Sequence, residues 1–270
     1  MVQFLAIFDT YQLSILASDP ESEETKSAVQ TGVSCYIQDM SQKLLVANWK
    51  SNLNSAEIEQ WMQAVSPFLS GHKAYQLVIA ASFVYLPLLK NLAPYLELCA
   101  QTVSPFPNGA YTGAISAQQA SEFARFALLG HAERRKYFAE TNSIVANQTI
   151  QALDNHLTPI VAVDQHNWRT QLGQLNPEQL AKCYVMYEPP EAISSGSGDH
   201  MLKHTAQLNE VVKAAQAIQE EFRVIGVFYG GSVDSSNIAQ FFAVPELSGC
   251  VVGGASLDPE EMKKMLHALG

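Results

Sequence analysis

The sequence predicts an α/β protein built as a closed (β/α)8 barrel in a single domain, with a short fifth helical unit and an N-terminal extension. Three observations predict it. Eight short apolar runs recur from Lys43 onward. Most are continuously apolar rather than alternating, as strands covered on both faces are. The segments between them carry apolar residues at intervals of three and four, the helical spacing. Strand–helix alternation gives a parallel sheet, eight units close it, and 270 residues suit such a barrel as one domain.

In chain order the runs are LLVAN (44–48), QLVIAA (76–81), LELCA (96–100), FALLG (126–130), PIVAVD (159–164), CYVMYE (183–188), VIGVFYG (224–230) and SGCVVG (248–253). SAEIEQWMQAVSPFL follows the first, with Ser55 or Asn54 placed to cap a helix. NSIVANQTIQALDNH and TAQLNEVVKAAQAIQ read as helices before the fifth and seventh runs. DPEEMKKMLHAL closes the chain, with Asp258 as N-cap and Pro259 at the first helical position. The fifth unit is the weakest, since HNWRTQLGQLNPEQLAK leaves room for only a short helix.

Residues 1–39 do not fit this scheme. ASDPESEETKSAVQTG is polar with an acidic cluster and reads as linker or disorder, so residues 1–39 are expected outside the barrel and 40–270 as the barrel domain. Met40 stands just before the first run. Asp9 interrupts the opening apolar stretch, which lacks a basic flank, so no secretory leader is expected. No run reaches the roughly 18 apolar residues of a membrane span. Cys35, Cys99, Cys183 and Cys250 are scattered, form no CxxC pair, and read as reduced thiols of a cytoplasmic protein. A net charge of −10 argues against nucleic-acid or acidic-membrane partners. An anionic substrate therefore needs a local positive site.

In such a barrel the loops after the strands' C-terminal ends form the functional face. The first strand delivers Asn48 and Lys50, the fourth His131 and Glu133, and the sixth Glu188. The seventh and eighth end in glycine pairs, YGGSV (229–233) and VGGAS (252–256). Taken singly, each has a bland reading: a structural histidine, a solvated lysine, a capping glutamate, a glycine turn. Five such features on one predicted face carry more weight. Glu188 closes its strand against Pro189 and Pro190 and opens onto small residues, as a catalytic base beside a lid would.

ANWKSN, GHAERRKYFAET, YEPPEAISSGSG, YGGSV and VGGASLDPEEM, in this order and spacing, resemble the triosephosphate isomerase family over residues 43 to 270. The resemblance implies a TIM barrel that interconverts dihydroxyacetone phosphate and glyceraldehyde 3-phosphate without cofactor or metal. It implies Glu188 as the base that moves the proton through an enediolate. His131 and Asn48 would face the two oxygens, Lys50 would supply positive charge, and Glu133 would hold Lys50. This family is itself the reference case of a neutral imidazole electrophile whose pKa is lowered by a helix N-terminus, and AERRKYF would supply that terminus here. Ser194, Ser232, Gly253 and Gly254 would bind the phosphate through N–H groups. Pro189, Pro190, Glu191, Ala192, Ile193, Ser194, Ser195 and Gly196 would form the lid that closes over it.

AQTVSPFPNGAYTGAIS (100–116) is similar to the family's third loop, which implies a homodimer, or a higher oligomer, with Thr112 approaching the other subunit's Asn48 and Lys50. The chain departs from the family pattern in three features of the site and lid. Ala132 stands where serine is usual, Glu191 follows two prolines in the hinge, and Ser194 replaces a lid glycine. In the third loop, Thr102 and Ala114 replace an asparagine and an acid, and the acid's loss removes an interface ion pair. Two other readings stay open on the sequence: a different sugar-phosphate barrel, and a phosphate-binding barrel whose catalysis has weakened.

Overall fold

The computed structural model describes residues 42–69, 75–189 and 208–270. Its eight strands are β1 Lys43–Asn48, β2 Tyr75–Ala81, β3 Glu97–Ala100, β4 Phe126–Leu129, β5 Thr158–Val163, β6 Tyr184–Tyr187, β7 Gly226–Tyr229 and β8 Leu247–Val252. Each lies within about two residues of its apolar run, the ordinary uncertainty of an element's end. All neighbours pair in parallel, and β1 pairs with both β2 and β8, so the sheet closes in sequence order. Residues from Lys43 to Gly270 form one unit.

Alternation along each strand sorts the core into two shells. Leu44, Val46, Val78, Leu128, Ile160 and Phe228 point inward and fill the barrel. Leu45, Ala47, Ile79, Leu129, Val161 and Tyr229 point outward against the helices. Both faces are therefore dry, which is why the runs are continuously apolar. Closure depends on one glycine. Gly249 sits at φ +145, and a Cβ there would lie 1.9 Å from the Leu44 carbonyl oxygen.

The surrounding helices are α1 Ser55–Val65, α2 Leu86–Leu92, α3 Ala117–Ser121, α4 Ala132–Phe138, α5 Asn142–Asp154, α6 Trp168–Leu172, α7 Pro177–Leu180, α8 Leu208–Glu221, α9 Ile238–Phe242 and α10 Pro259–Ala268. Asn54 is the cap of α1. Its side chain accepts from the Glu57 N–H while Glu57 reaches back to the Asn54 N–H, a reciprocal capping box. Asp258 caps α10, with Pro259 as first helical residue. The fifth unit holds two short helices, α6 and α7, where the sequence indicated room for one. Asn176 and Pro177 start the second of them, with Gln179 completing a capping box. Among the described residues, Cys99, Cys183 and Cys250 are free and buried, and no helix is long and apolar enough to cross a membrane. Cys35 lies outside the described residues.

Candidate active site

β1, β4 and β6 bring Asn48, Lys50, His131, Glu133 and Glu188 together at the C-terminal mouth. Lys50 and Glu133 form an ion pair, Nζ to Oε1 2.6 Å. Asn48, Lys50, His131 and Glu133 line one cavity of about 320 Å3. Lys50 has φ +52, a left-handed backbone that costs a non-glycine residue on the order of 1–3 kcal/mol. Three side chains hold it there. Its N–H donates to Asn48 Oδ1 at 3.1 Å, and its carbonyl accepts from Gln101 Nε2 at 2.9 Å and Ser82 Oγ at 3.3 Å.

His131 caps α4. Its Nδ1 accepts the Glu133 backbone N–H at 3.2 Å, so the proton of the neutral ring sits on Nε2. Nε2 then faces Glu188 Oε1 at 3.2 Å. Burial pushes the imidazole pKa down to about 4; Glu133 opposes the fall and the Lys50 charge adds to it. The ring is neutral at pH 7, so its approaches to the Glu133 and Glu188 carboxylates are not ion pairs.

Glu188 is buried, 2% exposed. Its N–H donates to the Val163 carbonyl at 2.8 Å, continuing the β5–β6 ladder past the end of β6. Burial pushes its carboxyl up to about 8, against the Ala132 N–H bond and the Lys50 charge. That N–H donates to Glu188 Oε2 at 3.1 Å. The alanine at position 132 thus still holds the carboxylate through its backbone, although it lacks a hydroxyl. Gly230 leaves room for the same group, since a Cβ there would approach Glu188 Cγ to 3.0 Å.

Gly253 follows β8, and Gly254–Ser256 is a 3-10 turn. The first N–H groups of such a turn have no partner inside it and point outward. Gly253 is also close to Lys50, since a Cβ on it would lie 3.7 Å from Nζ. Ser232 follows the other glycine pair, its carbonyl accepting from Asn237 Nδ2 at 3.2 Å. Thr112 is exposed on the loop after β3. Pro189 is buried beside Glu188. Pro190, Glu191, Ala192, Ile193, Ser194, Ser195 and Gly196 lie outside the described residues.

Two groups at the site carry no signal in the sequence reading. Gln101 Nε2 donates to the carbonyls of Lys50 and Ala80, both at 2.9 Å, and so ties the ends of β1, β2 and β3 together. Its position one residue past β3, on the functional face, was the available clue. Arg135 spans α4, β5 and the fifth unit, donating to the Gly130 carbonyl at 2.8 Å and Gln171 Oε1 at 2.7 Å. Nothing in AERRKYF distinguishes this inward arginine from its exposed neighbours.

Comparison with known proteins agrees with the geometry. Residues 43–269 match the family model described as triosephosphate isomerase. The protein of that name from Mesomycoplasma hyopneumoniae strain 7448 is 32% identical over 244 residues, covering 83% of this chain and 98% of its own. The one from Polynucleobacter asymbioticus is 31% identical over 250 residues with the same coverage. The crystal structure of the Bartonella henselae enzyme superposes with a TM-score of 0.70 at 21% identity, over 84% of this chain and 98% of that one, and speaks for the fold.

Proposed function

The chain belongs to the triosephosphate isomerase family, and from that premise we propose which of its residues carry the reaction. The reaction is the interconversion of dihydroxyacetone phosphate and D-glyceraldehyde 3-phosphate. It needs one base able to visit two adjacent carbons, donors for the oxyanion that develops, and a grip on the phosphate.

Glu188 is the base. The observation that carries this is a dry carboxylate, pKa near 8, opposite a neutral imidazole N–H at 3.2 Å. Burial strengthens it as a base, because leaving the charged form exchanges a costly buried anion for a neutral acid. As substrate enters, Nε2–H of His131 changes partner from Glu188 to a substrate oxygen. Asn48 Oδ1 accepts from Lys50 N–H and Gln101 Nε2, leaving Asn48 Nδ2–H2 to donate to the second oxygen. Lys50 supplies positive charge, and Glu133 fixes its ammonium. Glu188 takes the proton from one carbon and returns it to its neighbour, with the enediolate charge facing His131, Asn48 and Lys50 in between.

The phosphate is held by N–H groups of Gly253, Gly254, Ser232 and Ser194, so an acidic protein needs no cluster of cations to bind a dianion. The segment Pro189–Gly196 is the lid, keeping water from the enediolate. Two copies pair through the loop at 101–116, with Thr112 reaching the partner's site. Exposed Phe106 and Tyr111, stacked at 4.6 Å, support this, as do exposed Tyr137 and Phe138. The protein works in the cytoplasm, uses no cofactor, and carries its activity on residues 40–270.

Isomerisation in D2O tests the enediolate. Transfer through Glu188 brings solvent deuterium into the product at the carbon that is reprotonated. Complete retention of substrate hydrogen, together with undiminished turnover in Glu188→Gln, would instead mean a direct hydride shift, in which Glu188 has no role as base.

A further inference from the structure

Trp61 of α1 is fully buried at 1% exposure. Its indole Nε1–H donates to the Ser256 carbonyl at 3.0 Å, across 195 residues of chain. Ser256 is the last residue of the Gly254–Ser256 turn and is itself wholly buried. Its N–H and Oγ both donate to the Gly253 carbonyl, at 2.9 and 2.7 Å. The turn is therefore tied to itself at Gly253 and to α1 through a single indole. Trp61 also packs edge-on against Trp49, with ring centroids 5.0 Å apart. Trp49 lies between Asn48 and Lys50. The two halves of the site, the exit of β1 and the turn after β8, thus rest on one pair of rings.

A buried tryptophan is first of all a large apolar group, and its N–H needs some acceptor. Satisfying that donor alone does not require the last carbonyl of the turn. The neighbouring indole of Trp49, equally buried, has no hydrogen-bond partner among the described residues. Of the two indoles, then, the turn is bonded to Trp61. Without that bond the Ser256 carbonyl would be buried and unpaired, and the turn would shift to solvate it.

We propose that Trp61 is a positioning residue for the substrate phosphate: its indole N–H fixes the Gly253–Ser256 turn in the orientation that aims the turn's N–H groups at a phosphate dianion. The inference rests on reading that turn as the phosphate site. Phosphate is bound throughout the reaction, so a misaligned turn weakens ground state and transition state alike. The cost then falls on KM and leaves kcat in place.

The test is the full-length Trp61→Phe variant, which keeps an aromatic ring and removes the N–H. KM for glyceraldehyde 3-phosphate and the inhibition constant of inorganic phosphate should both rise about tenfold, with kcat within about twofold, the size of change that loss of one hydrogen bond produces. A lower melting temperature with KM and phosphate inhibition unchanged would overturn the proposal, as would a fall in kcat alone. Gly254→Asp separates this from the underlying reading, because a Cβ at Gly254 meets nothing within 4 Å and the added carboxylate repels phosphate. If Gly254→Asp leaves phosphate inhibition intact, the phosphate site is elsewhere. If it weakens inhibition and Trp61→Phe does not, the role of Trp61 alone fails. In the unaltered protein, inorganic phosphate should shift the Trp61 indole 1H–15N resonance and leave that of Trp168 in place. A resonance that does not respond refutes the coupling, whether or not the variant folds.

Discussion

Glu188 and His131 sit 3.2 Å apart with their pKa values displaced in opposite senses by the same cause. Burial disfavours whichever form is charged, so the carboxyl rises to about 8 and the imidazole falls to about 4. On the proposed assignment, one dry environment strengthens the base and keeps the electrophile neutral. In the free enzyme kcat/KM should therefore fall on the acid side through an apparent pKa near 8. The substrate phosphate loses its second proton near ~6, so a limb above pH 7 belongs to the protein, and a profile flat from 7 to 9 would contradict the assignment. Stability follows by linkage. The raised Glu188 pKa makes a contribution that is full below about 4.5 and lost as pH rises through about 8. That of His131 is full above about 6.5 and lost as pH falls through about 4. Glu188→Gln should accordingly be more stable than the parent at pH 8, by on the order of a few kcal/mol, with the gap closing towards pH 4. Urea melts at the two pH values check it.

Element ends are where the sequence was most informative. Asp258 could be read as a cap, Pro259 as a first helical residue and Asn54 as one of two candidate caps, because a capping side chain acts within three residues of itself. Asn54→Ala should cost about 1 kcal/mol in urea unfolding with kcat unchanged, since α1 loses its capping box and the site loses nothing. Glu188, His131, Lys50 and Asn48 were legible because each ends or follows an apolar run, and a barrel gathers strand ends. Gln101, Arg135 and Trp61 were not. Gln101 bonds a carbonyl 21 residues away, Trp61 one 195 residues away, and Arg135 joins the Gly130 carbonyl to a Gln171 side chain 36 residues on, and no local pattern encodes such meetings. The part played by position 132 was hidden for another reason. Alanine looks like the loss of a polar group, yet the bond to Glu188 comes from its backbone N–H, which every residue but proline has.

At the scale of the whole molecule, eight dry runs gave the barrel, and closure brought the two ends of the sheet into register at Leu44 and Gly249. Gly249→Ala should prevent a soluble, cooperatively unfolding product, because its Cβ would overlap the Leu44 carbonyl at a backbone angle that L-residues rarely adopt. A chain starting at Met40 should fold and turn over substrate at the full-length rate, as measured by steady-state kinetics and thermal melting. A loss of activity on that truncation would place residues 1–39 in the working enzyme. The central claim is that this barrel isomerises triose phosphates with Glu188 as its base. Its most direct test is dihydroxyacetone phosphate formation from glyceraldehyde 3-phosphate in a coupled assay, with the full chain and Glu188→Gln side by side. Rapid turnover in the former and a loss of about 10^3 or more in the latter is the predicted result. A full chain no faster than its variant would contradict it, leaving a barrel that binds phosphate without the chemistry.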